Sequence, residues 1–219
     1  MPKTLTPLQD QVLRLLFEHG AGERHYFLTG GTALSEYYLQ HRRSDDLDLF
    51  NRTERDLAAD AAEFEEVLET HGLTIASERA ENFVRFRVGD EKLKVELARD
   101  VRAQMAPVNQ FAGIRVDSLE DIAVNKVCAL CRQEPKDYVD LYFILTEGGW
   151  TLEYLLERAR LKDRMFDDPR GHLQFAYCLS LVGSFTLPAF MLKPLDAAAM
   201  QARLTAEAEK IMRRFAPGS

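Results

Sequence analysis

Apolar residues along this chain recur with two different periods, and the exchange of one for the other organises it. From Pro7 to Glu18, Val12, Leu15, Leu16 and Phe17 fall at helical spacing, with Thr6 as N-cap and Gly20 as terminator, which predicts a helix. A strand follows over His25 to Thr29 and runs into Gly30 and Gly31. After that turn, Ala33, Leu34, Tyr37 and Tyr38 return to helical spacing. Asp46-Leu47-Asp48-Leu49 then alternates polar with apolar, so a strand's two-residue period sends both leucines to the core and leaves both carboxylates on the other face. Thr53, with Asp56 three residues on, predicts a cap for an amphipathic helix through Leu57, Ala61, Phe64, Val67 and Leu68, ending near Gly72.

Three alternating segments come next, Leu73 to Glu78, Phe83 to Val88 and Leu93 to Ala98, the last two joined by a Gly89-Asp90 turn. They predict a meander rather than the βαβ repeats of a doubly wound sheet. Ile114 to Val116 is a last short strand, and Ser118 with Asp121 marks the next helix start. Helix-period positions then dominate, over Ile122–Leu130, Tyr138–Leu145, Leu152–Ala159, Leu173–Val182 and Ala197–Phe215. Breaks fall at Glu134-Pro135, Gly148-Gly149, Asp168-Pro169 and Leu187-Pro188. The expected architecture is α+β, a mixed β-sheet flanked by helices over residues 1–117, followed by a helical region over 118–219 that packs against it and completes the active-site cleft.

Composition narrows the function classes. The chain has 219 residues, 46% hydrophobic and 29% charged, ordinary for a soluble globular protein and not for a disordered one. A formal net charge of −7 supplies no global basic field, so a nucleic-acid partner needs a local patch; Arg99, Arg102, Lys126, Arg132 and Lys136 are candidates. The N-terminus lacks an apolar signal core and no apolar run approaches spanning length, so a reducing cytoplasm and no membrane partner are expected. Cys128 and Cys131 form a C-x-x-C pair, but they sit inside the pattern Ile122, Val124, Val127, Leu130 and no second ligand pair exists, so they are small core residues. Trp150, beside Gly148-Gly149, is a packing anchor.

The chemistry concentrates in Phe27 to Phe50. Two glycines leading into a helix offer backbone N–H groups to an anion. Asp46 and Asp48, with Cα atoms about 6.6 Å apart on one strand face, repel unless a cation lies between them. A divalent metal resolves that repulsion, and a metal with a triphosphate uses both features. Glu96, between Val95 and Leu97 and on the same face as Lys94, is either a solvated outer-face residue or a third carboxylate. Arg42, Arg43 and Ser44 either contact an outer phosphate or are loop residues in solvent. Asp45 alternates away from the Asp46/Asp48 face and belongs to a rim.

The order Gly30-Gly31-Thr32, helix, then His41-Arg42-Arg43-Ser44-Asp45-Asp46-Leu47-Asp48-Leu49-Phe50, resembles the minimal nucleotidyltransferase signature in its AbiEii/AbiGii-type form, known from bacterial abortive-infection and toxin–antitoxin systems. The family's later acid, lysine and R/K-D-x-x-D-L motif correspond to Glu96, Lys126 and Lys136-Asp137-Tyr138-Val139-Asp140-Leu141. The resemblance spans about Phe27 to Leu145; beyond Gly148 no motif matches. It implies that Asp46, Asp48 and Glu96 hold a two-ion Mg²⁺ site, with Glu96 also polarising the attacking hydroxyl. Gly30, Gly31 and Thr32 would cradle the triphosphate, and Arg42, Arg43 or Ser44 its outer phosphate. Lys126 would contact nucleotide or phosphate, Asp137 is the acid beside it, and Asp140 fixes the helix. The implied activity is transfer of NMP from an NTP to a hydroxyl, on a tRNA 3′ end first and a protein next, by a toxin with a cognate antitoxin. A non-catalytic nucleotide- or partner-binding module on the same fold, and a small-molecule (antibiotic) nucleotidyltransferase, are the alternatives.

Overall fold

The computed structural model describes residues 4–186 and 190–215. It separates into two compact units, residues 1–118 and 119–219. In the first, helix α1 (Pro7–Glu18) opens with a reciprocal cap: the Gln9 N–H donates to Thr6 Oγ1 at 3.2 Å and the Thr6 N–H donates to Gln9 Oε1 at 2.9 Å. Gln9 has a second use, because its Nε2 donates to the Ser44 carbonyl at 2.8 Å and pins the loop that leads into the carboxylate strand.

The sheet has seven strands: β1 (Phe27–Thr29), β2 (Asp46–Asn51), β3 (Ile75–Arg79), β4 (Phe83–Val88), β5 (Leu93–Arg99), β6 (Asn109–Phe111) and β7 (Ile114–Val116), in the order β3-β4-β5-β2-β1-β7-β6. β2 with β5 and β1 with β7 are parallel, and the remaining neighbours are antiparallel. Leu47, Leu49, Val84, Phe86, Val88, Val95 and Leu97 are all buried, together with Phe64 and Leu68 of helix α3 (Leu57–Thr70). Burying each such side chain contributes about 2 kcal/mol, and a one-residue slip of β2 would trade two leucines for two aspartates, so the register is strongly fixed.

Three local expectations are revised. The cap of α3 is Asp56, which accepts from the N–H groups of Ala58 (2.9 Å) and Ala59 (3.2 Å). Thr53 is diverted, its N–H and hydroxyl both donating to Asn51 Oδ1 at 2.7 and 2.6 Å. β6 was not foreseen: two of its three residues are exposed, so no alternation betrays it. The helix after the glycines is a short α segment, α2 (Gly30–Ala33), that widens into a π turn over Leu34–Leu39 and stops at Gln40 with φ +51°.

The second unit is helical: α4 (Leu119–Ala129), α5 (Pro135–Glu147), α6 (Leu152–Ala159), α7 (Pro169–Ser180) and α8 (Ala197–Phe215), with 3₁₀ turns at Leu130–Arg132, Arg164–Asp167 and Leu181–Ser184. α7 starts earlier than its apolar pattern suggests, because Asp168 caps it, accepting from the Arg170 N–H at 2.8 Å, and Pro169 occupies the first turn. The half-buried Trp150 ring lies where a side chain at Gly148 would meet it at 3.1 Å. The break expected at Leu187-Pro188 lies outside the described residues. Among the described residues no helix is long and apolar enough to cross a membrane.

Candidate active site

β1 and β2 are antiparallel neighbours with Thr29 opposite Asp48, so the Gly-Gly turn leaves β1 beside the second carboxylate. Gly30 has φ +71°, and a Cβ there would overlap Asp48 Oδ2. A Cβ on Gly31 would come 2.6 Å from Arg42 Nη2 and 2.9 Å from Ser44 Oγ. The structure therefore brings Gly30, Gly31, Arg42, Ser44 and Asp48 together. The loop is braced from beneath: the Ser35 hydroxyl donates to the Arg42 carbonyl, the Thr32 hydroxyl to the Asp46 carbonyl, and Arg42 Nη1 to the Arg43 carbonyl at 2.8 Å. Arg42 is buried and Arg43 exposed; Thr32 is buried with its hydroxyl engaged on the β2 backbone. Asp45 is exposed ahead of the strand. The start of this arrangement is anchored at Asp117, fully buried, which accepts from the Thr29 hydroxyl and from Arg52 Nη2, both at 3.0 Å.

Asp46 and Asp48 occupy the half-buried face of β2, opposite Leu47 and Leu49. Parallel pairing with β5 places Asp46 beside Lys94 and Asp48 beside Glu96. Lys94 Nζ lies 3.0 Å from Asp46 Oδ2. Glu96 Oε2 accepts from Arg85 Nε at 3.1 Å and Nη2 at 2.9 Å, and Arg85 Nη1 also reaches Glu78 Oε2 at 3.1 Å. Sequence spacing thus located the carboxylates but missed two of their partners, Lys94 and Arg85. The only signal for Lys94 was its shared face with Glu96.

Among the described residues no three His, Cys, Asp or Glu side chains converge as a metal-binding group. The donor chemistry still suits Mg²⁺, which is bound through oxygen, commonly by one or two carboxylates together with substrate phosphates. Asp46 and Asp48 supply those two carboxylates beside an anion-receptive turn, whereas Glu96 is neutralised by Arg85.

In the second unit, Lys126 Nζ lies 2.7 Å from Asp137 Oδ1 and 2.7 Å from Asp140 Oδ2. All three are buried, so the charged head has the partners that burial demands. Asp140 is thus not only a helix-fixing residue but a second acceptor for the same ammonium. Lys136 is exposed. Sequence reasoning missed Lys162, whose side chain is 3% exposed with its Nζ 2.9 Å from Asp121 Oδ1 and donating to Asn125 Oδ1 at 2.9 Å. The basic patch expected for an RNA end is partly consumed: Arg99 and Arg102 share Glu54, at 3.6 and 2.8 Å, and Lys126 is buried. Cys128, Cys131 and Cys178 form no disulfide among the described residues, and burial, then a hydrogen bond with Cys178, pushes the Cys131 thiol up to about 12.

An uncharacterized protein of Aquifex aeolicus (strain VF5) is 28% identical over 145 residues, covering 65% of this chain and 68% of that one. A Helicobacter pylori protein assigned as a nucleotidyltransferase superposes with a TM-score of 0.58 at 20% identity, covering 96% of this chain and 97% of its own. JHP933, also from Helicobacter pylori, gives 0.56 at 20% identity over 94% and 91%. These two structures share the fold. The family model for the nucleotidyl transferase AbiEii toxin of type IV toxin–antitoxin systems matches residues 14–219, reaching through the helices beyond Gly148 where no motif was visible. From that match over nearly the whole length, the chain belongs to the AbiEii nucleotidyltransferase toxin family.

Proposed function

We propose that this protein transfers a nucleoside monophosphate from an NTP to a hydroxyl group, releasing pyrophosphate, as the toxin of a toxin–antitoxin or abortive-infection pair. The carrying observation is the close approach of the Gly30-Gly31 turn to Asp48 on one side and to Arg42 and Ser44 on the other. Anion-receptive amides, a carboxylate strand and a guanidinium converge as a metal–triphosphate requires. Asp46 and Asp48 would hold Mg²⁺ with Glu96 at their edge, and Mg²⁺ when bound supplies charge neutralisation to the attacking and leaving oxygens. Gly30, Gly31 and Thr32 present backbone N–H groups to the triphosphate. Arg42 and Ser44 add side-chain donors, and exposed Arg43 is available to the outer phosphate. Glu96 orients the acceptor hydroxyl. By family motif, Lys126 contacts nucleotide or phosphate, and Asp137 holds its ammonium in place.

The acceptor is assigned by family resemblance, a tRNA 3′ end first and a protein hydroxyl next, with a cognate antitoxin as the regulatory partner. Incubation with Mg²⁺, each labelled NTP, total tRNA and cell extract tests the transfer and its acceptor. Label in RNA or protein, absent in a folded Asp48→Asn variant, is the expected result. Full transfer by Asp48→Asn removes the metal assignment. Label in a low-mass product points to the antibiotic-modifying chemistry, and binding without transfer to a non-catalytic module.

A further inference from the structure

The face of β2 and β5 that carries the candidate metal ligands also carries cations of this chain, in register. Arg87, Lys94 and Asp46 form one rung across β4, β5 and β2, and Arg85, Glu96 and Asp48 form the next. The two cations that touch carboxylates are held very differently. Arg85 uses three nitrogens on Glu96 and Glu78, a planar fork fixed from two sides. Among the described residues Lys94 makes one polar side-chain contact, 3.0 Å to Asp46 Oδ2, at the end of a flexible four-carbon stem. Both members of that pair are about a quarter exposed, at 23% and 26%, so solvent screens it only in part and the ammonium has room to move off the carboxylate.

We propose that Lys94 is a positioning residue that occupies Asp46 as an internal counter-ion and yields it when metal and nucleotide arrive together. The inference rests on the assignment of Asp46 and Asp48 as metal ligands. Asp46 and Asp48 on neighbouring positions of one strand face repel one another, while Arg85 already balances Glu96. Lys94 removes the Asp46 share of that repulsion and keeps the carboxylate ordered. A divalent ion by itself must displace the ammonium and leave it without an anion, whereas a triphosphate brings negative charge in the same step. Lys94 thereby makes metal binding depend on nucleotide and selects the metal–NTP complex over the free ion.

The test is Mn²⁺ binding to the full chain, followed by the electron paramagnetic resonance of free Mn²⁺, with and without a non-hydrolysable NTP. Wild type, Lys94→Met and Asp48→Asn are compared, with Lys94→Gln in place of Lys94→Met if the latter does not fold. Without nucleotide, the Lys94 variant should bind Mn²⁺ about tenfold more tightly than wild type, the equivalent of about 1.4 kcal/mol. With nucleotide the difference should shrink to about twofold or less. A gain in affinity is a readout that loss of structural support does not produce. Equal Mn²⁺ affinity in wild type and the Lys94 variant overturns the role of Lys94 and leaves the ligand assignment standing. Mn²⁺ binding by no variant even with nucleotide, or undiminished binding by Asp48→Asn, overturns both.

Discussion

Replacing Gly30 with alanine introduces two faults at one atom. The residue sits at φ +71°, where an L side chain costs about 1–2 kcal/mol. The new methyl also overlaps Asp48 Oδ2, and that carboxylate has little room to retreat because β2 is fixed on both sides by β1 and β5. Overpacking of this kind adds about 1–3 kcal/mol. The sum, about 2–5 kcal/mol, corresponds to a fall of about 8–20 °C in the melting temperature of a unit this size. If Asp48 moves by about 1 Å, transfer should drop about 100-fold or more. Gly31→Ala is the internal control. Its φ is not positive, and the added methyl meets only side-chain ends, Arg42 Nη2 and Ser44 Oγ. A helix-propensity gain of up to about 1 kcal/mol offsets part of that crowding, so its melting temperature should stay near wild type while NTP affinity falls. Differential scanning fluorimetry and labelled-NTP transfer on the three proteins decide the matter. Gly30→Ala melting and turning over like wild type would refute the claim that the turn and the carboxylate are sterically matched.

Other positions give independent tests. Burial by itself would raise Asp60, but hydrogen bonds from Arg55 (2.7 and 2.8 Å) and Tyr26 (3.1 Å), with the charge of Arg24, outweigh it and hold the carboxyl below its ordinary value. A depressed folded pKa means this stabilisation is present above the ordinary carboxylate range and is lost as pH falls through the folded value. Asp60→Asn should therefore cost about 2 kcal/mol at pH 7 and flatten the acid limb of a stability–pH curve measured by urea unfolding. In the helical unit, Lys162→Met removes the ammonium paired with the buried Asp121 carboxylate and should destabilise by about 3 kcal/mol. Lys162→Met with Asp121→Leu should recover part of that loss; a double variant worse than the single would contradict the pairing.

What the chain disclosed in advance was local. Thr6 as N-cap, the alternation of Asp46 to Leu49 and the helical period of α3 are short-range features, where side-chain spacing and backbone geometry are tied together. Partners across strands were hidden. Lys94 and Asp46 are 48 residues apart, and nothing in either segment specifies that β2 and β5 run parallel with those two residues abreast. Lys162 was invisible for the same reason, 37 residues from Asn125 and in a loop with no periodicity. Thr53 misled because two polar residues competed for one role: Asn51 captured Thr53, and Asp56 became the cap.

The convergence at Gly30 follows from how residues 30–45 close the path between two adjacent antiparallel strands. That segment must leave β1 and re-enter β2 within hydrogen-bonding distance, and it does so with a helix that cannot continue as a regular one. The π turn at Leu34–Leu39 and the left-handed Gln40 bring the backbone round, and the Gln40 N–H closes on the Ser35 carbonyl at 2.9 Å. The Ser35 hydroxyl then catches the Arg42 carbonyl, which sets Arg42 and Ser44 against Gly31. Gly31 would not be needed if the loop passed at a distance, whereas Gly30 is required by its own φ of +71° and by Asp48 on the neighbouring strand. The requirement for Gly31 is therefore a consequence of the short return, and the register Thr29–Asp48 sets the carboxylate beside an anion-receptive turn. Lengthening the loop between Gln40 and Ser44 by one or two residues should leave the sheet intact, since its core residues are untouched, while separating Arg42 from the turn. Such an insertion should retain the wild-type melting temperature within a few degrees and lose NTP binding; retained binding would mean that Arg42 and Ser44 play no part in the site.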